Sequence, residues 1–93
     1  MKRIVSKLAL KELNESQSYY NLQKVELGDE FVHHIKNNID AIFEAPYLYP
    51  VVITPVHRKV ISRFPYNIFY RVDDKAIVIL SISHQHRKPF YKI

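Results

Sequence analysis

The sequence contains no cysteine, and Gly28 is its one glycine. Without cysteine the chain can form neither a disulfide nor a thiolate metal site, which suits a reducing compartment. A single glycine excludes the glycine-rich loops that bind nucleotide phosphates. No apolar run approaches the roughly 20 residues that span a bilayer, and the start of the chain lacks the long apolar segment of a signal peptide. We therefore expect a cytoplasmic protein with no membrane segment.

The length and the charge distribution narrow the possibilities further. Ninety-three residues, 47% of them hydrophobic, predict one folded domain over residues 1–93 with a modest core. The net charge of +5 is uneven, because residues 47–93 hold eight Lys/Arg against two Asp. That half therefore carries +6 and residues 1–46 carry −1. A basic half of this kind favours a polyanion or an acidic protein as partner, and solubility is the alternative explanation.

The N-terminal half is helical after a short extended start. Residues 2–5 can form a strand, and the Ser6 hydroxyl can cap a helix over residues 7–23. The apolar positions of this helix fall on one face at helical spacing: Leu10, Leu13 and Tyr20.

Gly28 predicts a break before a second helix over residues 29–44, because glycine adopts backbone angles that other residues avoid. The apolar stripe of the second helix is regular: Phe31, Ile35, Ile39 and Ile42. The link between the two helices, residues 24–28, is short, and this predicts that the helices form an antiparallel hairpin.

The C-terminal half has an extended rather than a helical period. Prolines exclude a long helix after residue 45, and Asp73-Asp74-Lys75 is a tight-turn signal between two strong strand patterns. The predicted strands are 51–53, 58–64, 66–72 and 76–82. The chain therefore predicts an α+β fold of order β-α-α-β-β-β-β: an N-terminal strand, then the two-helix hairpin packed on a twisted antiparallel sheet.

The polar residues near the end of the chain are compatible with metal binding, with RNA cleavage or with binding alone. His84 and His86 could share one side of a strand, but no further ligand completes a metal site, so we expect neither a metal nor a cofactor. His33 and His34 are adjacent on a helix, and their side chains diverge.

Cleavage of RNA through its 2′-hydroxyl needs a base, an acid and cations around one phosphate. His84, His86 or Tyr91 could move protons, and Arg87 or Lys88 could hold phosphate.

Binding without chemistry is the third possibility. Arginine and lysine on the predicted strands can contact a nucleic-acid backbone or an acidic chain. The residues assigned to this target-binding or polyanion-binding role are Arg58, Lys59, Arg63, Arg71, His86 and Lys88. The aromatic residues between them are expected to form core.

The segment FPYNIFYRVDDKAIVILSISHQHRKP, residues 64–89, resembles the closing half of the RelE/ParE superfamily of bacterial toxins. The family shows the same aromatic strand, acidic turn, apolar strand and His-x-x-Arg-x-Pro type of ending. The segment SKLALKELNESQSYYNLQKVELGDEF, residues 6–31, is similar to the first helix of the family and the Leu-Gly-x-x-Phe start of the second. The resemblance covers nearly the whole chain and implies the same small α/β fold.

The resemblance also implies a function, that of the toxin in a type II toxin–antitoxin (plasmid stabilisation) pair. Its partner would be a cognate antitoxin with an acidic flexible segment, and a homodimer or a toxin–antitoxin hetero-oligomer would be possible. RelE-like members cut mRNA on the ribosome, with His84, Arg87 and Tyr91 as the matching site residues here. ParE-like members inhibit growth by binding DNA gyrase.

Two departures from the RelE pattern favour the ParE branch. RelE-like ribonucleases carry an arginine directly after the tyrosine that opens the aromatic strand, where this chain has Asn67 after Tyr66. They also carry a second arginine just after the apolar strand. The nearest matching position in this chain is Gln85, and the alignment would have to shift by two residues to reach Arg87. The alternatives are a ribosome-dependent endoribonuclease and a non-toxic module that only binds an antitoxin.

Overall fold

The structure is a computed structural model that describes residues 1–92. Its seven elements follow the predicted order: β1 (Lys2–Val5), α1 (Lys7–Gln23), α2 (Leu27–Glu44), β2 (Val51–Ile53), β3 (Val56–Val60), β4 (Tyr66–Val72) and β5 (Ala76–His84). The predicted α+β architecture is confirmed. No helix within residues 1–92 is long and apolar enough to cross a membrane.

The five strands form one sheet in the order β1-β5-β4-β3-β2. The pairs from β2 to β5 are antiparallel as predicted. One edge of the sheet departs from the antiparallel arrangement, because β1 runs parallel to β5 with Lys2 opposite Ala76. The sequence pattern of a four-residue strand does not show whether the strand runs parallel or antiparallel to its neighbour.

Helix α1 occupies the predicted range and begins at the predicted cap. The Ser6 hydroxyl accepts a hydrogen bond from the Ala9 N–H (3.0 Å) and donates one to the Leu80 carbonyl (2.8 Å), which ties the helix start to β5. Two of the expected apolar positions, Leu13 and Tyr20, pack against the core as predicted. The third differs, because Ala9 is fully buried and Leu10 is half exposed. Small Ala9 lets the helix lie close to the sheet, and Leu10 points away from it.

Helix α2 begins at Leu27, two residues earlier than predicted, so Gly28 lies inside the helix. The left-handed residue in the link is Glu26, with φ of 69°. Gly28 is instead required for close contact between the helices, because a Cβ there would overlap the Gln17 carbonyl oxygen and lie 2.7 Å from the Asn21 side chain.

Strand β3 ends at Val60, four residues before the predicted end. The Ile61 N–H donates to the Tyr66 carbonyl (3.0 Å), so the chain turns here instead of extending. Phe64 then packs into the core, with its ring centroid 5.1 Å from that of Phe31. The alternation of charged and apolar residues over 58–64 therefore spans two structures: the end of β3 and the turn that places Phe64 in the core.

The inner face of the sheet, which we define as the face covered by the helices, carries the main core. Phe31, Ile35 and Ile42 of α2 pack there. The strands contribute alternate residues to this core: Tyr66, Ile68, Tyr70, Ile77, Ile79 and Ile82. The opposite, outer face carries the residues between them, including Asn67 and Phe69 of β4.

Candidate functional site

Strand β5 extends beyond its neighbour β1, and this overhang organises the site. β1 pairs only as far as Ile79, whereas β5 continues to His84. The edge of the overhang is covered by a side chain of α1: one carboxylate oxygen of Glu12, Oε1, accepts hydrogen bonds from the Ser81 hydroxyl (2.8 Å) and the Ile82 N–H (2.9 Å). Glu12 thus replaces a missing strand partner.

Glu12 is half buried, and this burial destabilises the ionised form of its carboxyl group. Burial raises the pKa of this carboxyl above its ordinary value, and the hydrogen bonds from Ile82 and Ser81 oppose the rise. The positive charge of Arg87 also favours the ionised form. Sequence analysis missed Glu12, because its position next to β5 follows only once the sheet-facing side of α1 is known.

A cleft of about 400 Å³ lies between α1 and the end of β5. His84 and Arg87 line one wall, and Glu12, Glu15 and Tyr19 of α1 line the other. At its base the Tyr66 hydroxyl lies 3.0 Å from the Ser16 hydroxyl oxygen. The wall formed by α1 is therefore acidic, although the chain as a whole is basic.

The two histidines at the end of β5 lie next to each other, and His84 is the one that lines the cleft. The His84 and His86 ring centroids are 5.2 Å apart, and His84 Nδ1 accepts a hydrogen bond from the His86 backbone N–H (3.1 Å). A neutral His84 therefore carries its proton on Nε2. Within residues 1–92 no three His, Cys, Asp or Glu side chains are grouped closely enough to hold a metal ion.

Tyr91 lies on the other side of the sheet from His84. Its ring packs edge-on against Phe69 of the outer face, with centroids 5.7 Å apart, and Phe90 contacts the same ring at 5.8 Å. Phe69 is buried although no helix covers it. Of the three residues assigned to a ribonuclease site, the structure brings His84 and Arg87 together in the cleft and places Tyr91 elsewhere.

Three of the basic residues assigned to polyanion binding have partners within the protein. Lys59 Nζ donates to the Asn38 side chain (2.6 Å), and burial lowers the pKa of its ammonium group. Arg63 forms an ion pair with Glu30 (2.6 Å). The third pair joins Arg71 to Asp73 at 3.1 Å.

The remaining assigned residues divide between the outer face and the chain end. Arg58 pairs with Phe69 across β3 and β4, and its buried Nε makes no hydrogen bond to the residues described. Asn67 lies on the same face with a buried Oδ1 that likewise has no partner among residues 1–92. His86 and Lys88 are exposed beside Arg87. Of the residues assigned to target binding, the two that are exposed without an ion-pair partner within residues 1–92, His86 and Lys88, therefore both lie after β5.

The sequence profile of the family described as ParE toxin of type II toxin–antitoxin system, parDE, matches residues 4–89. The chain belongs to the ParE toxin family. It is accordingly a ParE-type toxin of a toxin–antitoxin system. No curated protein sequence matches this ParE-family chain at a significant level.

Solved structures show how widely this fold is shared. The toxin is similar to a chain of the chromosomal ParDE toxin–antitoxin system of P. aeruginosa, with a TM-score of 0.81, 20% identity, and coverage of 90% of this chain and 95% of that one. It is also similar to a chain of the intact E. coli RelBE complex (TM-score 0.69, 16% identity, 92% and 98% coverage). The isolated E. coli RelE toxin matches with a TM-score of 0.69, 17% identity, and 97% and 89% coverage. At these identities the likeness establishes the fold.

Proposed function

We propose that this ParE-type toxin inhibits growth by binding an essential protein target, with DNA gyrase as the first candidate, and that it does so without cleaving RNA. The observation that carries the proposal is the separation of Tyr91 from His84 and Arg87. Tyr91 packs against Phe69 on the outer face, whereas the other two line the cleft on the α1 side of β5. The three residues assigned to a ribonuclease site therefore do not surround a common point.

The charge of the cleft supports the same conclusion. Among the groups that line the cleft with His84, Glu12 and Glu15 carry two negative charges and Arg87 one positive charge, and Lys11 pairs with Glu15 at 3.8 Å. A phosphodiester placed next to His84 would face two carboxylates. Stabilising developing negative charge on phosphate requires the opposite arrangement.

We further propose that a cognate antitoxin neutralises the toxin through an acidic flexible segment. Arg87 and Lys88 are exposed and take part in none of the ion pairs within residues 1–92. They can therefore meet a partner's carboxylates without first breaking an internal pair. The relatives with solved structures include toxins from the ParDE and RelBE toxin–antitoxin systems.

Two assays run in parallel test the proposal. Purified toxin is added to gyrase and relaxed plasmid, and supercoiling is followed on gels. The same preparation is added to translating ribosomes, and new mRNA ends are mapped by primer extension. We expect inhibition of supercoiling and no new ends. Cleavage that disappears in Tyr91→Phe would refute the proposal in favour of a ribonuclease.

Matched variants identify the surface responsible. Arg87→Ala removes an unpaired cation, and Arg63→Ala removes one that is paired with Glu30. We expect Arg87→Ala to weaken gyrase inhibition about tenfold, equivalent to about 1.4 kcal/mol, and Arg63→Ala to leave it nearly unchanged. An Arg87→Ala protein that inhibits gyrase as strongly as wild type would show that the contact is not at the end of β5. A toxin that inhibits neither gyrase nor growth would be an antitoxin-binding module.

A further inference from the structure

The segment that forms β2 is free of charge and exposed. Residues 45–57 contain no Lys, Arg, Asp or Glu, in a chain where 25% of residues are charged. Within this segment Tyr47 is 72% exposed and Leu48 71%, and Val51 and Ile53 are 52% and 48% exposed. We call these four side chains the β2 edge patch. Exposed apolar side chains that form a contiguous patch are a feature of interaction sites.

The patch lies at an open edge of the sheet. β2 is the last strand in the order β1-β5-β4-β3-β2, so one side of its backbone has no strand partner within residues 1–92. Tyr47 extends the patch from the preceding turn, where its ring centroid lies 6.1 Å from that of His57, the residue opposite Val51 on β3. Backbone groups and apolar side chains are therefore presented together, as in edges that pair with another strand.

The other edge of the sheet provides a comparison within the same molecule. β1 is also exposed along its length, but it carries Lys2 and Arg3, of which Arg3 pairs with Asp40 of α2. Charged residues on an edge strand oppose pairing with another chain, and two copies of β1 would bring like charges together. The sheet is therefore protected by charge at one edge and unprotected at the other.

We propose that β2 is a self-association surface, on which two copies of the chain pair edge to edge across a two-fold axis. A two-fold contact brings a patch against itself, so any charge in the patch would meet its own copy. Each chain carries +5, and two such chains repel each other at long range. The uncharged β2 edge patch is an exposed apolar surface where that repulsion has no local source. An acidic partner, in contrast, would gain nothing electrostatically from this patch.

The flanking prolines limit the length of the strand pairing between two copies. Pro50 and Pro55 border the three residues of β2 and lack the N–H that a longer ladder would need. The strand pairing is therefore short, and the apolar side chains around it supply most of the buried surface. A reversible dimer that forms with rising concentration is the expected result. This inference is independent of the toxin's target.

Sedimentation equilibrium of the full chain over a range of concentrations tests the proposal. The wild-type chain is expected to pass from monomer to dimer, and Val51→Lys to raise the dissociation constant by at least about tenfold, since two lysines would be buried without an anion to pair. Leu22→Lys is the matched control, because Leu22 is 89% exposed on α1 and distant in sequence from the patch. Circular dichroism verifies that both variants are folded, and Ile53→Lys provides a second probe of the same edge.

Salt separates self-association from binding to an acidic chain. Raising the salt concentration screens the repulsion between two basic chains and is expected to increase the dimer fraction, whereas contacts with a polyanion weaken. A chain that stays monomeric at the highest concentration, or a dimer that Leu22→Lys disrupts and Val51→Lys does not, would overturn the proposal. So would a Val51→Lys variant that weakens only antitoxin binding, because the antitoxin would then be the occupant of the edge.

Discussion

The contact between the two helices at Gly28 leads to a quantitative prediction for Gly28→Ala. Alanine in a helix is ordinarily favoured over glycine by about 1 kcal/mol. Here the added methyl group would overlap the backbone oxygen of Gln17, which cannot rotate away, and overpacking of this kind costs about 1–3 kcal/mol. Separating the helices would also weaken the hydrogen bond from the Gly28 N–H to the Asn21 side chain (2.7 Å), worth about 1 kcal/mol.

The net expectation for Gly28→Ala is a loss of about 1–3 kcal/mol of unfolding free energy, or roughly 10 °C in melting temperature for a domain of this size. Urea unfolding followed by circular dichroism measures it. Asn37→Ala, at an exposed position of α2, controls for helix propensity. Adding Asn21→Ala to Gly28→Ala should cost less than the sum of the two single changes, since they share one contact. A Gly28→Ala protein as stable as wild type would show that the helices are not packed at this distance.

Three further predictions concern single interactions. Burial raises the pKa of Glu12, so its contribution to stability is largest at low pH and is lost as the pH rises through the raised pKa. The free energy of unfolding of wild type, relative to that of Glu12→Gln, should therefore fall between about pH 4 and pH 7. A difference that stays constant with pH would contradict this prediction. Tyr70→Phe removes the hydrogen bond to the Pro46 carbonyl (2.6 Å) and should cost about 1–3 kcal/mol in urea unfolding; an unchanged stability would show that water replaces the lost bond. Arg63→Ala breaks an exposed pair with Glu30 and should cost less than about 1 kcal/mol, with no cost in high salt; a loss that persists in salt would indicate a packing role.

The sequence predicted those parts of the fold that depend on local patterns. Helix α1, β2 and β4 occupy the predicted ranges, because a cap at Ser6, flanking prolines and an aromatic run mark them. The errors have non-local causes. Gly28 was assigned to a break because the approach of α1 to it is invisible in the sequence. The parallel direction of β1 likewise depends on residues more than seventy positions away.

The candidate site was predictable in composition and less so in arrangement. His84 and Arg87 follow a strongly apolar strand, which located them at one end of the sheet, and they do line one cleft. The placement of Tyr91 depends on the turn after β5 and on a contact with Phe69 on the outer face. The acidic wall of the cleft depends on the rotation of α1 about its axis. Neither the contact of Tyr91 with Phe69 nor the exact rotation of α1 can be read from the spacing of apolar residues in the sequence.

The position of β5 also bears on how the toxin folds during synthesis. β5 is the strand that joins β1 to β4, yet it is the last strand along the chain. A nascent chain can form the α1–α2 hairpin from local contacts, but β1 has no partner until β5 has emerged. Folding therefore waits for a loop closure over most of the chain, which is entropically costly and slow. A partner that meets the chain before this step would encounter a helical hairpin with its apolar face uncovered.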